Sequence, residues 1–187
     1  MPKLYLKEKK EIKNNPIKRF SREIIYGGLD GIITTFSVIA GFTGAQSNNT
    51  HVYAISTVLL FSFAKLFSDA TSMALGNFLS ERTEIKKFKK AHINKLIDNP
   101  ISTSLATFIS FIIFGLIPTI PYLYSKQLPY QTLFIYSVGL TLSSLILLGL
   151  VRFYITHERW YKGTLEVLVI GVVSAFIAYL VGTFFRA

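Results

Sequence analysis

A handful of polar side chains sit inside apolar stretches of this sequence, and they are of types that bind cations. The run Tyr26–Ala45, YGGLDGIITTFSVIAGFTGA, is long and apolar enough to cross a bilayer, yet it carries the carboxylate of Asp30. A charge in hydrocarbon costs roughly 3 kcal/mol on insertion scales, so such an acid faces a partner helix, a water-filled path or a cation. Gly27, Gly28, Gly31, Gly41 and Gly44, with Thr34, Thr35 and Ser37, give this segment small faces that let neighbouring helices approach. Asp30 is therefore expected to face protein rather than lipid. The plainer alternative is an acid that only pairs with a neighbouring helix.

A second apolar run carries a stripe. Lys65, Asp69, Met73 and Asn77 step by four, Ser72, Gly76 and Ser80 flank them, and Glu81 and Glu84 continue the stripe to the end of the segment. Carboxylate, thioether, amide and hydroxyl groups along one helical face can replace a cation's hydration shell in steps without trapping it. At ~1.5 Å per residue, Asp30 and Met73 both lie ~9 Å from the same end of their antiparallel spans, with Asp69 ~15 Å deep. A methionine in an apolar helix is ordinarily packing, but Met73 is the only one beyond Met1 and lies one turn from Asp69. A thioether beside carboxylates favours first-row transition metals over Mg2+ or Ca2+, which prefer all-oxygen sites. His51, His92 and His157 have no metal-ligand spacing and read as solvated, and Glu166 reads as an acid at a helix N-terminus.

Elements that could position these groups follow from composition. The chain has 187 residues, 51% hydrophobic and 16% charged, with no cysteine. That excludes disulfides, thiolate zinc sites and iron–sulfur clusters. Apolar runs predict an all-α polytopic membrane protein with five transmembrane helices, at about 24–44, 53–79, 101–122, 132–153 and 165–185. They form a transport domain, 23–187, behind a basic arm, 1–22. The arm reads either as an amphipathic helix on an anionic leaflet or as a disordered tail that sets topology. The first apolar run exceeds the ~7–15 residues of a signal core and should remain as a span.

The net charge of +10 does not point to nucleic acid, because of where the charges sit. Eight Lys/Arg lie in the arm, six in the loop 80–100, and Arg152, Arg159 and Lys162 near the fourth turn. These all fall on one side of five spans, while the other side holds Lys126 and Arg186, and Lys65 lies within a span. The positive-inside rule then places the N-terminus in the cytoplasm.

YGGLDGIITTF followed by small residues resembles the first transmembrane helix of the vacuolar iron transporter (VIT) family. SDATSMALGNFLSERTE at Ser68–Glu84 continues the resemblance, as do Pro118-Thr-Ile-Pro121 and Gly149–Gly182. The resemblance implies that Asp30 and Met73, with Asp69, line a metal pathway; Glu81 and Glu84, on the same stripe, extend the candidate metal set to its mouth. It also implies a homodimer with the path between protomers. Members of the best-known branch insert a cytoplasmic domain rich in Glu and Met between spans two and three. This chain has about twenty residues there, with six Lys/Arg against few acids, so it reads as a short member lacking that metal-binding domain and not as a multi-metal store. Lys65 also stands where an uncharged residue is more usual, and Asn77 where an acid often stands.

The expected function is export of divalent Fe2+ or Mn2+ from the cytoplasm as transported substrate, with H+ as the coupling ion and no prosthetic group. The membrane would be the cell membrane in a prokaryote, or a vacuolar or similar storage membrane in a eukaryote. The competing reading is a non-transporting scaffold or metal sensor whose buried acids hold helices together. An enzyme finds no support, since no activated nucleophile or His–acid pair occurs at membrane depth. The topology has a direct check. Asn48→Cys and Gln127→Cys should react with an impermeant thiol reagent applied from outside, and Lys90→Cys should not. Reaction at position 90 alone would overturn the orientation.

Overall fold

A computed structural model of the chain describes residues 15–46, 55–90, 99–124, 128–156 and 159–185, with the side chains of 88–90 and 160 excepted. Most of the basic arm, most of the first turn, His51, His92, His157, Lys126 and Arg186 lie outside the described residues. Among the described residues every regular element is a helix. In chain order these are α1 (Pro16–Arg19), α2 (Ser21–Ala45), α3 (Ile55–Lys90), α4 (Pro100–Leu116), a 310 turn (Ile117–Thr119), α5 (Ile120–Tyr124), α6 (Tyr130–Thr156) and α7 (Trp160–Phe184). Five segments, with α4 to α5 counted as one, are long and apolar enough to cross a membrane. They match the five expected spans.

Local chemistry sets the boundaries. The same dipeptide starts α1 and α4: the Asn15 side chain accepts a hydrogen bond from the Ile17 amide, and Asn99 from that of Ile101, each with proline as the next residue. An asparagine cap followed by a proline that has no amide to satisfy is a favoured helix start. α3 departs from expectation, because the basic stretch after Ser80, read as loop, stays helical to Lys90. Hydropathy marks where a helix leaves the apolar medium, not where its backbone bonds end. Residues 80–90 contain no Gly or Pro, and Glu84 precedes Lys87 by three, a favourable helical pair.

The third span breaks where two prolines fall. Pro118 and Pro121 lack amide protons, so the backbone tightens: the Ile117 amide bonds to the Phe114 carbonyl and the Ile120 amide to that of Ile117. Thr119 Oγ1 donates to the Leu116 carbonyl at 2.7 Å, and Ser137 Oγ of α6 donates to that of Pro118 at 2.7 Å. In a lipid medium every freed backbone group needs such a partner.

α2 is the central helix and packs against α3, α4, α6 and α7. Its glycines make this possible. A Cβ on Gly27 would lie 2.9 Å from the Thr107 carbonyl oxygen, and one on Gly31 would collide with the backbone at Phe111 and Gly115. Gly44 likewise abuts Tyr179 of α7, and Gly182 abuts Gly41. Around these seams lie three apolar clusters, built on Ile39, Val58, Tyr122 and Leu133, on Ile32, Leu145, Leu148 and Val167, and on Leu66, Ala70 and Phe111. Leu165, Val169, Val172, Phe176 and Leu180 of α7 stay exposed, as lipid-facing residues do.

The close approach predicts an asymmetric response to added volume. Gly31→Val should destabilise the fold by at least about 1–3 kcal/mol, the usual range for overpacking. Gly139→Ala, where no atom lies within 4 Å of the added carbon, should be neutral. Thermal unfolding in detergent compares the two, and equal melting temperatures would contradict the packing described.

A candidate cation site between α2 and α3

The polar stripe of α3 lies against the first half of α2. There Arg22, Glu23 and Tyr26 of α2, Met73, Gly76, Asn77 and Ser80 of α3 and Thr107 of α4 enclose an open cavity of about 310 Å³. It lies towards the end of the bundle where α2 begins and α3 finishes. Glu81 stands just beyond it, buried and paired with Arg22 at 3.4 Å. Glu84, half-buried three residues on, is not among the residues lining the cavity.

Asp30 lies one helical turn deeper than Tyr26. It is half-buried, and its carboxylate interacts electrostatically with Asp69 and Lys65. Asp69 accepts a bond from Lys65 Nζ at 2.6 Å. Arg22 meets Glu81 and Phe42 meets Phe61, which puts Met73 at about the depth of Asp30 and Asp69 about one turn beyond it. Met73 also packs against the Leu66, Ala70 and Phe111 cluster, so its thioether has one apolar flank and one cavity flank.

The Asn77 amide has a fixed orientation. Thr107 Oγ1 spends its proton on the Thr103 carbonyl at 3.0 Å, so it can only accept from Asn77 Nδ2, also at 3.0 Å. That anchors the amide nitrogen to α4 and leaves the amide oxygen unspent by this bond, on a side chain that lines the cavity. From the mouth inward the order of groups along α3 is Glu81, Ser80, Asn77, Met73 and Asp69. Among the described residues no three His, Cys, Asp or Glu side chains converge closely enough to hold a metal ion. One protomer therefore offers two carboxylates at depth, with the neutral donors of α3 leading to them.

A family model described as the VIT family matches residues 21–97 and 85–183. The chain belongs to the VIT family. It is 22% identical over 215 residues to vacuolar iron transporter 1 of Oryza sativa subsp. japonica, covering 84% of this chain and 82% of that one. The vacuolar iron transporter of Plasmodium falciparum is 21% identical over 225 residues, covering 86% and 80%. That of Toxoplasma gondii is more similar, 35% over 82 residues, but over 44% of this chain and 25% of its own length. The chain thus spans a quarter of the Toxoplasma protein and about four-fifths of the other two. Family membership and five apolar helices together make this VIT-family chain a multi-pass integral membrane protein.

Sequence reasoning missed one member of the cavity. Glu23 is 7% exposed and lines it beside Met73. The signal was present in the sequence, since Glu23, Tyr26, Gly27 and Asp30 share one face of α2 at helical spacing. Water access tests the cavity itself. Tyr26→Cys and Ser80→Cys should label with a small thiol reagent in membranes, whereas Ile32→Cys and Leu66→Cys, at fully buried positions, should not. Equal labelling at all four would mean that the cavity is not the wet side of α2.

Proposed function

We propose that this chain exports divalent transition-metal ions, Fe2+ or Mn2+, from the cytoplasm, in exchange for protons. One observation carries the reading: two carboxylates from different helices, Asp30 and Asp69, lie within electrostatic range of each other at membrane depth behind an open cavity that holds a thioether. A carboxylate pair meets the charge of a dication, and the thioether favours a transition metal over Mg2+ or Ca2+. Intramembrane carboxylates bind either H+ or metal, which ties the two cycles together. The relatives' printed names, vacuolar iron transporters, agree with iron as cargo and with a vacuolar or similar storage membrane.

In this reading the cavity opens to the cytoplasm, because the helix ends around it carry the basic residues. Glu81 and Glu84 attract the ion at the mouth and Met73 passes it to the carboxylate pair. The basic arm lies on anionic lipid, with Lys18 seated 6.0 Å from the centre of the Tyr154 ring. A homodimer completes the path. The α3 face with Lys65, Ser68, Ser72 and Gly76 is exposed in one protomer, and a polar face at membrane depth calls for a cover. A second copy would supply that cover and a second pair of carboxylates.

Asp30→Asn decides between transport and mere helix pairing. The amide is nearly isosteric and cheaper to place in lipid, so the variant should fold and assemble. Its Mn2+ or Fe2+ uptake into proteoliposomes should fall at least about tenfold per folded protein, as expected for losing one charge-assisted contact. Met73→Leu, a volume-conserving swap, should reduce transport less and alter the ranking among Fe2+, Mn2+, Co2+ and Zn2+. Wild-type transport by Asp30→Asn would remove Asp30 from the mechanism, and an unchanged ranking in Met73→Leu would remove the thioether. Silence of both variants would favour a scaffold.

A further inference from the structure

The Lys65–Asp69 contact stands apart from the other described ion pairs. Arg22–Glu81 and Arg152–Glu166 join different helices near the ends of the bundle. Lys65 and Asp69 lie within one helix, in the middle of an apolar segment, with their side chains 47% and 29% exposed. As a helix stabiliser the pair has the weaker order, since acid before base is the favourable arrangement at i, i+4. Both members also carry an insertion cost that an apolar pair would avoid. Helix stability therefore gives a poor account of it.

Its surroundings suggest another role. The groups facing Lys65 are Asp69, in contact at 2.6 Å, and Asp30, within electrostatic range. Two carboxylates and one ammonium leave a net charge of −1 where a dication would otherwise meet −2. Lys65 is the more exposed partner, on a four-carbon stem, and so has room to swing aside.

We propose that Lys65 is a tethered competitor cation. Its ammonium occupies Asp69 when no metal is bound, is displaced when a dication enters, and returns to Asp69 as the ion leaves. Rested on the transport reading above, this makes Lys65 the residue that sets affinity and release. The tether holds the ammonium at high effective concentration beside Asp69, so it competes without being consumed. A dication wins because it interacts with both carboxylates at once, whereas the ammonium holds one. Monovalent ions, without that advantage, are held off.

Mn2+ binding to the purified full-length protein, followed by the electron-spin-resonance signal of the free ion, tests this. Lys65→Gln should tighten binding at least tenfold, and Lys65→Arg, which keeps the tethered charge, should not. Adding Asp69→Asn to Lys65→Gln should cancel the gain, and that double variant also guards against misfolding from an unpaired Asp69. In proteoliposomes Lys65→Gln should lower both KM and maximal rate, the signature of an ion held too well. Wild-type binding that Lys65→Gln leaves unchanged, or that Lys65→Arg tightens equally, overturns the role of Lys65 alone. A gain that survives Asp69→Asn overturns the competition at Asp69. No Mn2+ binding by any of these proteins overturns the transport reading together with this one.

Discussion

Backbone contact between α2 and its neighbours is the constraint on which the rest of the structure depends. Inside a bilayer the hydrophobic effect does not drive helices together, because lipid tails are as apolar as leucine. Association rests on how closely backbones approach. Gly27 and Gly31 bring α2 against Thr107, Phe111 and Gly115 of α4, and Gly41 and Gly44 bring it against α7. A helix held by backbone contact on two sides has little freedom to rotate. The direction in which Asp30 points is thus fixed by glycines one turn and less away from it.

That orientation explains how polar groups persist in an apolar bundle. Most hydroxyls of α4 and α6 are spent locally: Thr103, Ser104, Thr107, Thr141 and Ser144 each donate to a carbonyl within their own helix. Ser137 is spent on the proline break. These groups quiet the backbone and leave little for a passing ion. The groups directed elsewhere are on the facing sides of α2 and α3, where the cavity lies. Polarity in this bundle is divided between hydroxyls that serve the fold and carboxylate, amide and thioether groups gathered at one site.

How much of this could be read beforehand differs by feature. The spans were legible because composition alone separates twenty apolar residues from a basic turn, and the stripe on α3 because it repeats every four residues. The helical stretch after Ser80 was not, since hydropathy marks where a chain leaves the membrane and not where its helix ends. Glu23 was hidden by context: beside eight basic residues, an acid reads as solvated until the fold turns it towards Met73. The Lys65–Asp69 spacing was visible, but only the structure shows the contact closed.

Charge balance along α2 and α3 carries the last step. Glu81 at the mouth is held by Arg22 and Asp69 at depth by Lys65, so each end of the stripe is already neutralised by a cation of the protein itself. Asp30 makes no ion pair among the described residues; its neighbours are the carboxylate of Asp69 and, at longer range, the ammonium bound to it. Between the two neutralised ends α3 carries only uncharged donors, Ser80, Asn77 with its amide anchored on Thr107, and Met73, while Glu23 of α2 lines the same cavity. A row of uncompensated acids would bind a dication deeply at every step and slow its passage. Neutral donors between internally paired acids flatten that profile. Asp30 sits beside two glycines of the central helix, where close backbone contact with α4 keeps the helix from turning the carboxylate away from the site.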